Sequence, residues 1–278
     1  MAGQRPSNDW IDEQARGFRG DGGMMLRNPV IDAMMARRSV RQYAQRVPTD
    51  EELETVVRAG QQAPFAAQLG SLLLSRNRKR NPFGAPWLFT VCVDVHRLER
   101  ILEKRGWTRI TSDEAILLFG VQDAAYLAQN MVIAAESLGM ASCFLGAAAF
   151  QARRIAEQYG LPPRVFPLVQ LTMGFPKEDS VPRPRFPLNV SLHEDRYCEP
   201  DDRVLAEAMK AMDDGYLAQD YYRKGAYRIP LEEGREETYT FDTYSWTEHM
   251  GRKWGQWLAD PDDLLIPLAD CGFHTKTG

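Results

Sequence analysis

The stretch QDAAYLAQNMVIAAESLGMASCFLGAA, residues 122–148, carries the strongest structural signal in the chain. Its first part, Gln122 to Leu138, is rich in alanine and apolar on nearly all sides, which predicts a central, buried helix. Gly139 ends that helix, because glycine readily adopts the left-handed conformation that closes helices. Ser142 to Ala148 then predicts a strand or a strand edge. A long apolar helix next to a strand is typical of helices packed on a sheet.

Helices and strands alternate on both sides of this stretch, from about residue 30 to residue 175. The clearest local signals are the Asn28-Pro29 helix start, a capping box from Thr49 to Glu52 and the apolar run Trp87–Val95. The alternation predicts the α/β or α+β class. Predicted helices are 28–38, 49–62, 96–105, 122–138 and 151–159; predicted strands are 39–43, 87–95, 142–148 and 168–175.

The composition changes after residue 176, where strand signals become rare. A loop rich in proline and charge is followed by a predicted amphipathic helix, a polar segment and a last predicted helix; these are 177–198, 201–222, 223–240 and 242–258. The N-terminal residues are polar and glycine-rich, which predicts an extended arm. We therefore expect an arm (1–27), a core (28–200) and a helical extension (201–278).

Charge and composition exclude several classes of protein. The 278 residues include 34 lysines and arginines against 38 aspartates and glutamates, a net charge of −4, whereas nucleic-acid binders usually carry a basic excess. No apolar run approaches the ~20 residues that span a bilayer, and the N-terminus lacks the apolar segment of a secretory signal. Four scattered cysteines without CxxC spacing indicate reduced thiols of a cytoplasmic protein. The four histidines are unclustered, so we expect no metal site.

The densest chemistry lies in Arg37-Arg38-Ser39-Val40-Arg41. Guanidinium forks match phosphate oxygens and serine adds a neutral donor, so this cluster is either a phosphate site or a solvated basic turn. Between residues 37 and 80, nine lysines and arginines face four acids, a local excess of five positive charges. Arg183-Pro184-Arg185 is a second basic cluster, in a loop stiffened by further prolines. The chain has no GxGxxG and no GxxxxGK[ST] motif.

The arginine cluster and several later motifs resemble the nitroreductase family. The matching segments are RRSVRQY (37–43), AP (63–64), AQN (128–130), AAESLGM (134–140), FLG (144–146) and MGFP (173–176). Further segments, RPRFP (183–187), LHEDRY (192–197), YY (221–222) and DTYSW (242–246), are similar to its large oxygen-insensitive NADPH nitroreductase and NADPH–flavin oxidoreductase branch. The resemblance covers about residues 28–258.

The resemblance implies a fold and a cofactor. The fold would be a central mixed or antiparallel sheet flanked by helices, with a helical C-terminal extension, in a homodimer with FMN at the subunit interface. The FMN phosphate and ribityl chain would contact Arg37, Arg38, Ser39 and Arg41, with Arg183 and Arg185 on the other side of the phosphate. The flavin ring would lie near Phe65 and Gln68 of the Ala63–Gln68 loop and near Phe144, Leu145 and Gly146.

Some residues depart from the family pattern. The loop Phe65-Ala66-Ala67-Gln68 lacks the hydroxyl groups common there, so backbone groups or Gln68 would have to hydrogen-bond the flavin. Residues 76–82 are unusually basic, and 226–240 are longer than the family suggests. The second stretch falls where the branch binds NADPH, and Lys224 and Arg228 are candidates for its 2′-phosphate or simply exposed loop charges.

By resemblance, the activity is a ping-pong cycle. Hydride passes from NADPH or NADH to N5 of FMN and then to a nitroaromatic, a quinone or a free flavin, with no catalytic side chain required because the cofactor carries the chemistry. Two alternatives remain: an FMN enzyme for a dedicated metabolite (a dehydrogenase, dehalogenase or enone reductase), or a non-enzymatic flavin-binding protein. The expected partners are a second copy of the chain and a small electron acceptor, without nucleic acid or membrane.

Overall fold

The computed structural model describes residues 26–178, 180–257 and 264–274. They form two compact units, a first unit of residues 27–178, 180–182 and 264–274, and a second unit of residues 183–257. The expected arm lies almost wholly outside the described residues. The expected boundary at 200/201 differs from this division, because residues 183–200 group with the helices after them and residues 264–274 group with the core.

An antiparallel sheet forms the centre of the first unit. Its strands are β1 (Gly70–Ser75), β2 (Trp87–Asp94), β3 (Ala141–Leu145) and β4 (Val165–Gly174). They lie in the order β1-β2-β4-β3, and each neighbouring pair is antiparallel. The sheet places β1 and β3 at opposite edges, about 14 Å apart at the usual strand spacing.

The arginine-bearing segment is attached to the β3 edge. Ser39 forms an isolated parallel bridge with Ser142, and Tyr43 forms an antiparallel bridge with Pro176. The N–H of Val40 donates to the carbonyl of Ser142 at 3.0 Å. The strand predicted over 39–43 is therefore reduced to two single bridges, which still fix the segment beside β3.

Helices of the first unit flank the sheet: α1 (Pro29–Ala36), α2 (Asp50–Gln61), α3 (Val95–Lys104), α4 (Asp113–Ser137) and α5 (Ala152–Tyr159). The predicted capping box is confirmed, since the Thr49 hydroxyl accepts from the Glu52 N–H while the Glu52 carboxylate accepts from the Thr49 N–H. A 3₁₀ turn over Gly146–Gln151 follows β3, so the strand predicted to reach residue 148 ends three residues earlier.

Helix α4 is longer than predicted and is buried on one face. It begins at Asp113, where the Ser112 hydroxyl accepts from the Ala115 N–H, nine residues before the predicted start at 122. Its buried residues are Ile116, Gly120, Asp123, Ala124, Ala128, Met131, Val132 and Ala135. Large apolar side chains on the rest of its surface are exposed, namely Leu118, Phe119, Val121 and Tyr126. The central position predicted for 122–138 agrees with the structure, but the helix is buried on one face, and Tyr126 within that range is exposed.

Among the described residues, α4 is the one helix whose length and hydropathy would allow it to cross a membrane. Its buried face belongs to the protein core, where Ala124 and Ala128 pack with Val91 and Val93 of β2. Core helices of globular domains commonly pass this length and hydropathy test.

The second unit consists of helices and long connections. Its helices are α6 (Asp202–Ala218), α7 (Tyr221–Gly225) and α8 (Trp246–Arg252), and α8 continues as a π-helical turn over Lys253–Trp257. The helix predicted over 201–222 is interrupted at Asp220, which has a left-handed φ of 52°. The helix predicted over 242–258 begins at Trp246, four residues later.

The C-terminal helix α9 (Leu265–Asp270) belongs to the first unit. Arg164 donates to the Asp113 carboxylate and to the carbonyl of Gly272, and the His274 N–H donates to the same carboxylate. These arginine contacts lower the pKa of Asp113 below its usual range. The last described residues are therefore held by the first unit.

The cysteines agree with the expectation of reduced thiols. Cys92, Cys143 and Cys271 are buried, Cys198 is half-buried, and each of these four side chains is a thiol rather than half of a disulfide. Burial raises the pKa of Cys92 to about 12 and that of Cys271 to about 11, so both remain protonated at neutral pH.

Candidate functional site

The arginine cluster lies between α1 and the β3 edge of the sheet. Arg37 caps the C-terminal end of α1, and the Arg41 N–H donates to the Glu178 carboxylate at 2.7 Å. Within the described residues, neither the Arg37 nor the Arg41 guanidinium donates a hydrogen bond or forms an ion pair. Two half-buried guanidiniums that make no direct ion pair favour an anionic ligand.

Glu136, on the last turn of α4, is an acid that interacts electrostatically with this cluster. Burial raises its pKa to about 7, and the positive charges of Arg38 and Arg37 offset only part of that rise. Its Oε1 atom is buried and has no hydrogen-bond partner among the described residues. Next to the arginine cluster there is thus a carboxyl group whose pKa lies near neutral pH.

The segment from Phe144 to Gly146 ends β3, directly after the residues that bridge to Ser39. Phe144 is 37% exposed, Leu145 is half-buried, and a Cβ on Gly146 would meet nothing within 4 Å. The structure therefore brings this segment and the arginine cluster to the same sheet edge, as the predicted site requires. The open space at Gly146 leaves room for a flat ligand to approach the backbone.

The Ala63–Gln68 loop leads into β1, the opposite edge strand. Phe65 is 55% exposed, and Gln68 has a left-handed φ of 52°, which is uncommon for a residue with a side chain. Asp123 accepts hydrogen bonds from the N–H groups of Ala66, Ala67 and Leu69. A cavity of about 450 Å³ opens here, lined by Gly60, Gln61, Ala63, Pro64, Phe65, Gln68, Gly70, Arg97, Asp123 and Leu127. One chain therefore does not bring this loop to the sheet edge that carries the arginine cluster.

Arg183 and Arg185 belong to the second unit, where helix α6 and its neighbours order them. Arg183 donates to the Gln219 side chain at 2.6 Å and lies 4.0 Å above the ring of Tyr221. Arg185 donates to the carbonyls of Arg183 and Pro184. The loop predicted to be stiff from its prolines is thus held by specific contacts within its own unit.

Lys224 and Arg228 are exposed and engaged within the second unit. Lys224 donates to the carbonyl of Gln219 at 3.1 Å. Arg228 donates to the carbonyl of Tyr239 at 3.1 Å and lies 4.0 Å from the Glu237 carboxylate. Both side chains are engaged by these contacts, and their assignment to a nucleotide phosphate stays a prediction.

Two arginines outside the predicted site support it. Arg78, in the basic stretch 76–82, donates to the carbonyls of Tyr43, Ala44 and Gln45, just after the arginine cluster. Arg97 donates to the carbonyls of Gln68 and Gly70. The high charge of 76–82 hinted at Arg78, but no local pattern pointed to Arg97, because its partners are 27 and 29 residues away.

Among the described residues, no group of three or more His, Cys, Asp or Glu side chains could hold a metal ion.

Comparison with known proteins finds a domain of a known family and a matching fold. Residues 73–175 match the model of the Nitroreductase family. The chain is 28% identical to an FMN reductase (NADPH) of Bacillus subtilis over 214 residues, which cover 71% of this chain and 84% of the relative. It is 27% identical to an oxygen-insensitive NADPH nitroreductase of Salmonella typhimurium over 215 residues, 72% and 85% of the two chains.

The crystal structure of nitroreductase A from Vibrio parahaemolyticus superimposes with a TM-score of 0.73 at 22% identity. The match covers 90% of this chain and all of the other. The resemblance found in the sequence and the predicted fold class are therefore confirmed.

The buried carboxyl of Glu136 makes stability depend on pH. Its folded-state pKa of about 7 lies above the unfolded value of 4.5, so the folded protein binds the proton more tightly and loses stability as pH rises between these values. Replacing Glu136 by Gln removes the titration. We expect E136Q to be more stable than wild type at pH 8, with a smaller difference at pH 5, in urea unfolding experiments.

The matched control is Glu103→Gln, which changes an exposed glutamate paired with Arg100 on the surface of α3. We expect it to alter stability little at either pH. Equal stability differences between E136Q and wild type at pH 5 and pH 8 would contradict the prediction.

Proposed function

Because this chain carries a nitroreductase-family domain, we propose that it is an oxidoreductase that binds FMN and takes reducing equivalents from NADPH or NADH. Bound FMN supplies the hydride chemistry, and the protein supplies binding, orientation and electrostatics. The observation that carries the proposal is the pair of unengaged guanidiniums of Arg37 and Arg41, fixed beside the β3 edge of a nitroreductase-like sheet. The proposed location is the cytoplasm.

The residues of the first unit fit the phosphate end of FMN. Arg37, Arg38, Ser39 and Arg41 supply charged and neutral donors within five residues, and a phosphate dianion accepts from both kinds. The bridge of Ser39 to β3 and the carbonyl contacts of Arg78 hold this stretch from both ends. Arg183 and Arg185 are proposed as further phosphate ligands.

The flavin ring is proposed to bind against residues that are flatter and less charged than the arginine cluster. The exposed faces of Phe65 and Phe144, the amide of Gln68 and the backbone of Leu145 and Gly146 are proposed to contact it. The loop Ala63–Gln68 offers no hydroxyl group, so Gln68 and backbone N–H groups supply the hydrogen bonds at the ring edge.

The acceptors are proposed to be nitroaromatics, quinones or free flavins, each of which can stack on an exposed flat ring in turn with the nicotinamide. Lys224 and Arg228 are proposed to contact the 2′-phosphate of NADPH.

A second candidate function is that of an FMN enzyme for a dedicated metabolite. It is favoured by the hydroxyl-free loop and by the basic segment 76–82 and the long segment 226–240.

A homodimer follows from the distribution of the site over the sheet. The Ala63–Gln68 loop leads into one edge strand, and the arginine cluster lies beside the other edge strand. A second copy of the chain would therefore have to bring its Ala63–Gln68 loop to the arginine cluster of the first copy. Leu118, Phe119 and Tyr126 of α4 are also exposed, and several large apolar residues exposed on one helix are typical of an interaction surface. We propose that two chains share each FMN site.

Loss of one phosphate-binding arginine tests the cofactor proposal. We expect Arg41→Ala or Arg185→Ala to release FMN, weakening its binding by at least about tenfold, because each removes a charge-assisted hydrogen bond to phosphate. The folded structure should persist, as followed by circular dichroism and thermal unfolding. The flavin absorbance per mole of purified protein gives the occupancy.

Arg58→Ala is the control, since Arg58 is an exposed arginine that pairs with Glu54 on the surface of α2. It should keep the flavin of the wild type. Wild-type flavin content in both R41A and R185A would refute these phosphate assignments.

The dimer has its own test. Sedimentation velocity should give a mass near twice the 31.6 kDa chain, with the flavin absorbance moving at the same rate as the protein. A monomer that retains bound FMN at full occupancy would show that one chain completes the site and would contradict the shared-site proposal.

A further inference from the structure

We propose that Asp123 and Arg97 are positioning residues that fix the Gln68 turn at the edge of the flavin ring and thereby tune its reactivity. This inference rests on the proposed function. The structural basis is a pair of side chains from α4 and α3 that together occupy half of the backbone hydrogen-bonding groups of residues 66–70.

Asp123 fixes the donors of the turn. It is only 4% exposed, and its two carboxylate oxygens accept from the N–H groups of Ala66 at 2.6 Å, Ala67 at 3.1 Å and Leu69 at 2.9 Å. A buried carboxylate needs this number of donors, because burying its charge without hydrogen bonds would be strongly unfavourable. The N–H of Gln68 is left out of this set.

Arg97 fixes the acceptors of the same turn. One terminal nitrogen donates to the carbonyls of Gln68 and Gly70, and the other donates to the Ser71 hydroxyl at 2.9 Å. Asp94 holds the guanidinium at 3.3 Å, and its own N–H donates to the carbonyl of Leu69. The fork of arginine suits this role, because it presents several donors in a fixed plane.

The two clamps enforce an unfavourable backbone conformation at one residue. Gln68 has a φ of 52°, where a residue with a side chain is strained, and strain of this kind persists only when the surroundings determine it fully. Gln68 lines the cavity of about 450 Å³, and its N–H is directed to neither Asp123 nor Arg97. The turn therefore holds Gln68 at the wall of the cavity in one backbone conformation, with an N–H that neither Asp123 nor Arg97 engages.

Hydrogen bonds at the edge of a bound flavin tune its electronics, so a fixed donor set there affects redox behaviour more than binding. The arginine cluster that is proposed to hold the phosphate does not depend on this turn, since it is attached to the opposite edge strand. The two functions are thus separable: the cluster determines FMN affinity, and the Asp123–Arg97 clamp determines reactivity.

The test compares Asp123→Asn and Arg97→Lys with Arg100→Lys, an exposed arginine of α3 that pairs with Glu103. In the apoprotein, hydrogen exchange at the amides of Ala66, Ala67 and Leu69 should be at least about tenfold faster in D123N. In the flavin-loaded protein, D123N and R97K should shift the midpoint potential and lower kcat about tenfold or more, while FMN affinity changes less than about threefold. R100K should match the wild type in every measurement.

A second variant separates positioning from general stability. Glycine adopts positive φ without strain, so adding Asp123→Asn to Gln68→Gly should shift the potential much less than Asp123→Asn does alone. If D123N does not fold, R97K gives the same readouts, because the Arg97 side chain is 45% exposed.

An unchanged midpoint potential in folded, flavin-loaded D123N and R97K would overturn the positioning role and leave the proposed function intact. Equal potential shifts from Asp123→Asn with and without Gln68→Gly would also overturn it. Failure of the wild-type protein to bind FMN at all would overturn both proposals together.

Discussion

The close approach of α4 to its neighbours is the constraint on which the site depends. A Cβ on Gly120 would lie 2.3 Å from a methyl group of Val93 in β2, and one on Gly60 of α2 would lie 2.6 Å from the Met131 side chain. Only hydrogen at these positions allows α4 to pack directly on the sheet and on α2. Such close contacts fix the rotation of α4 about its own axis, and this rotation determines which of its residues face the core.

Helix α4 in turn places the polar residues on which the two halves of the site rely. Asp123, near its middle, holds the loop that enters β1, and Glu136, on its last turn, lies beside Arg37 and Arg38. Asn130 donates to the carbonyl of Ala59 and ties α2 to the same helix. One packed helix therefore links the Ala63–Gln68 loop, the arginine cluster and α2.

Much of the fold could be predicted because its signals are local. The capping box at Thr49, the apolar strand β2 and the left-handed Gly160 that ends α5 each depend on residues within a few positions, and each is where the sequence indicated. The N-terminal nine residues of α4 escaped prediction because Gly120 weakens the helical pattern. The need for glycine there comes from contact with β2, which the sequence of the helix does not reveal.

The arginine cluster could be singled out from the sequence because it lies in a family motif, whereas contacts between distant residues could not be. The local excess of five positive charges between residues 37 and 80 combined two roles that the structure separates. Arg46, Arg58 and Arg76 pair with nearby acids, and Arg78 binds carbonyls, so they belong to the architecture. The guanidiniums of Arg37 and Arg41 form no hydrogen bond or ion pair within the described residues, and they give the charge its proposed function. The clamp by Asp123 and Arg97 joins residues 27 to 57 positions apart and has no sequence signature.

Anaerobic reduction of the purified protein tests most directly the proposal that this chain is a flavin-dependent reductase. We expect FMN to co-purify or to rebind readily, and its visible absorbance to fall on addition of about one equivalent of NADPH or NADH. The absorbance should return when a nitroaromatic, a quinone or free flavin is added without oxygen. A protein that binds no FMN, or whose bound flavin neither nucleotide reduces, would contradict it.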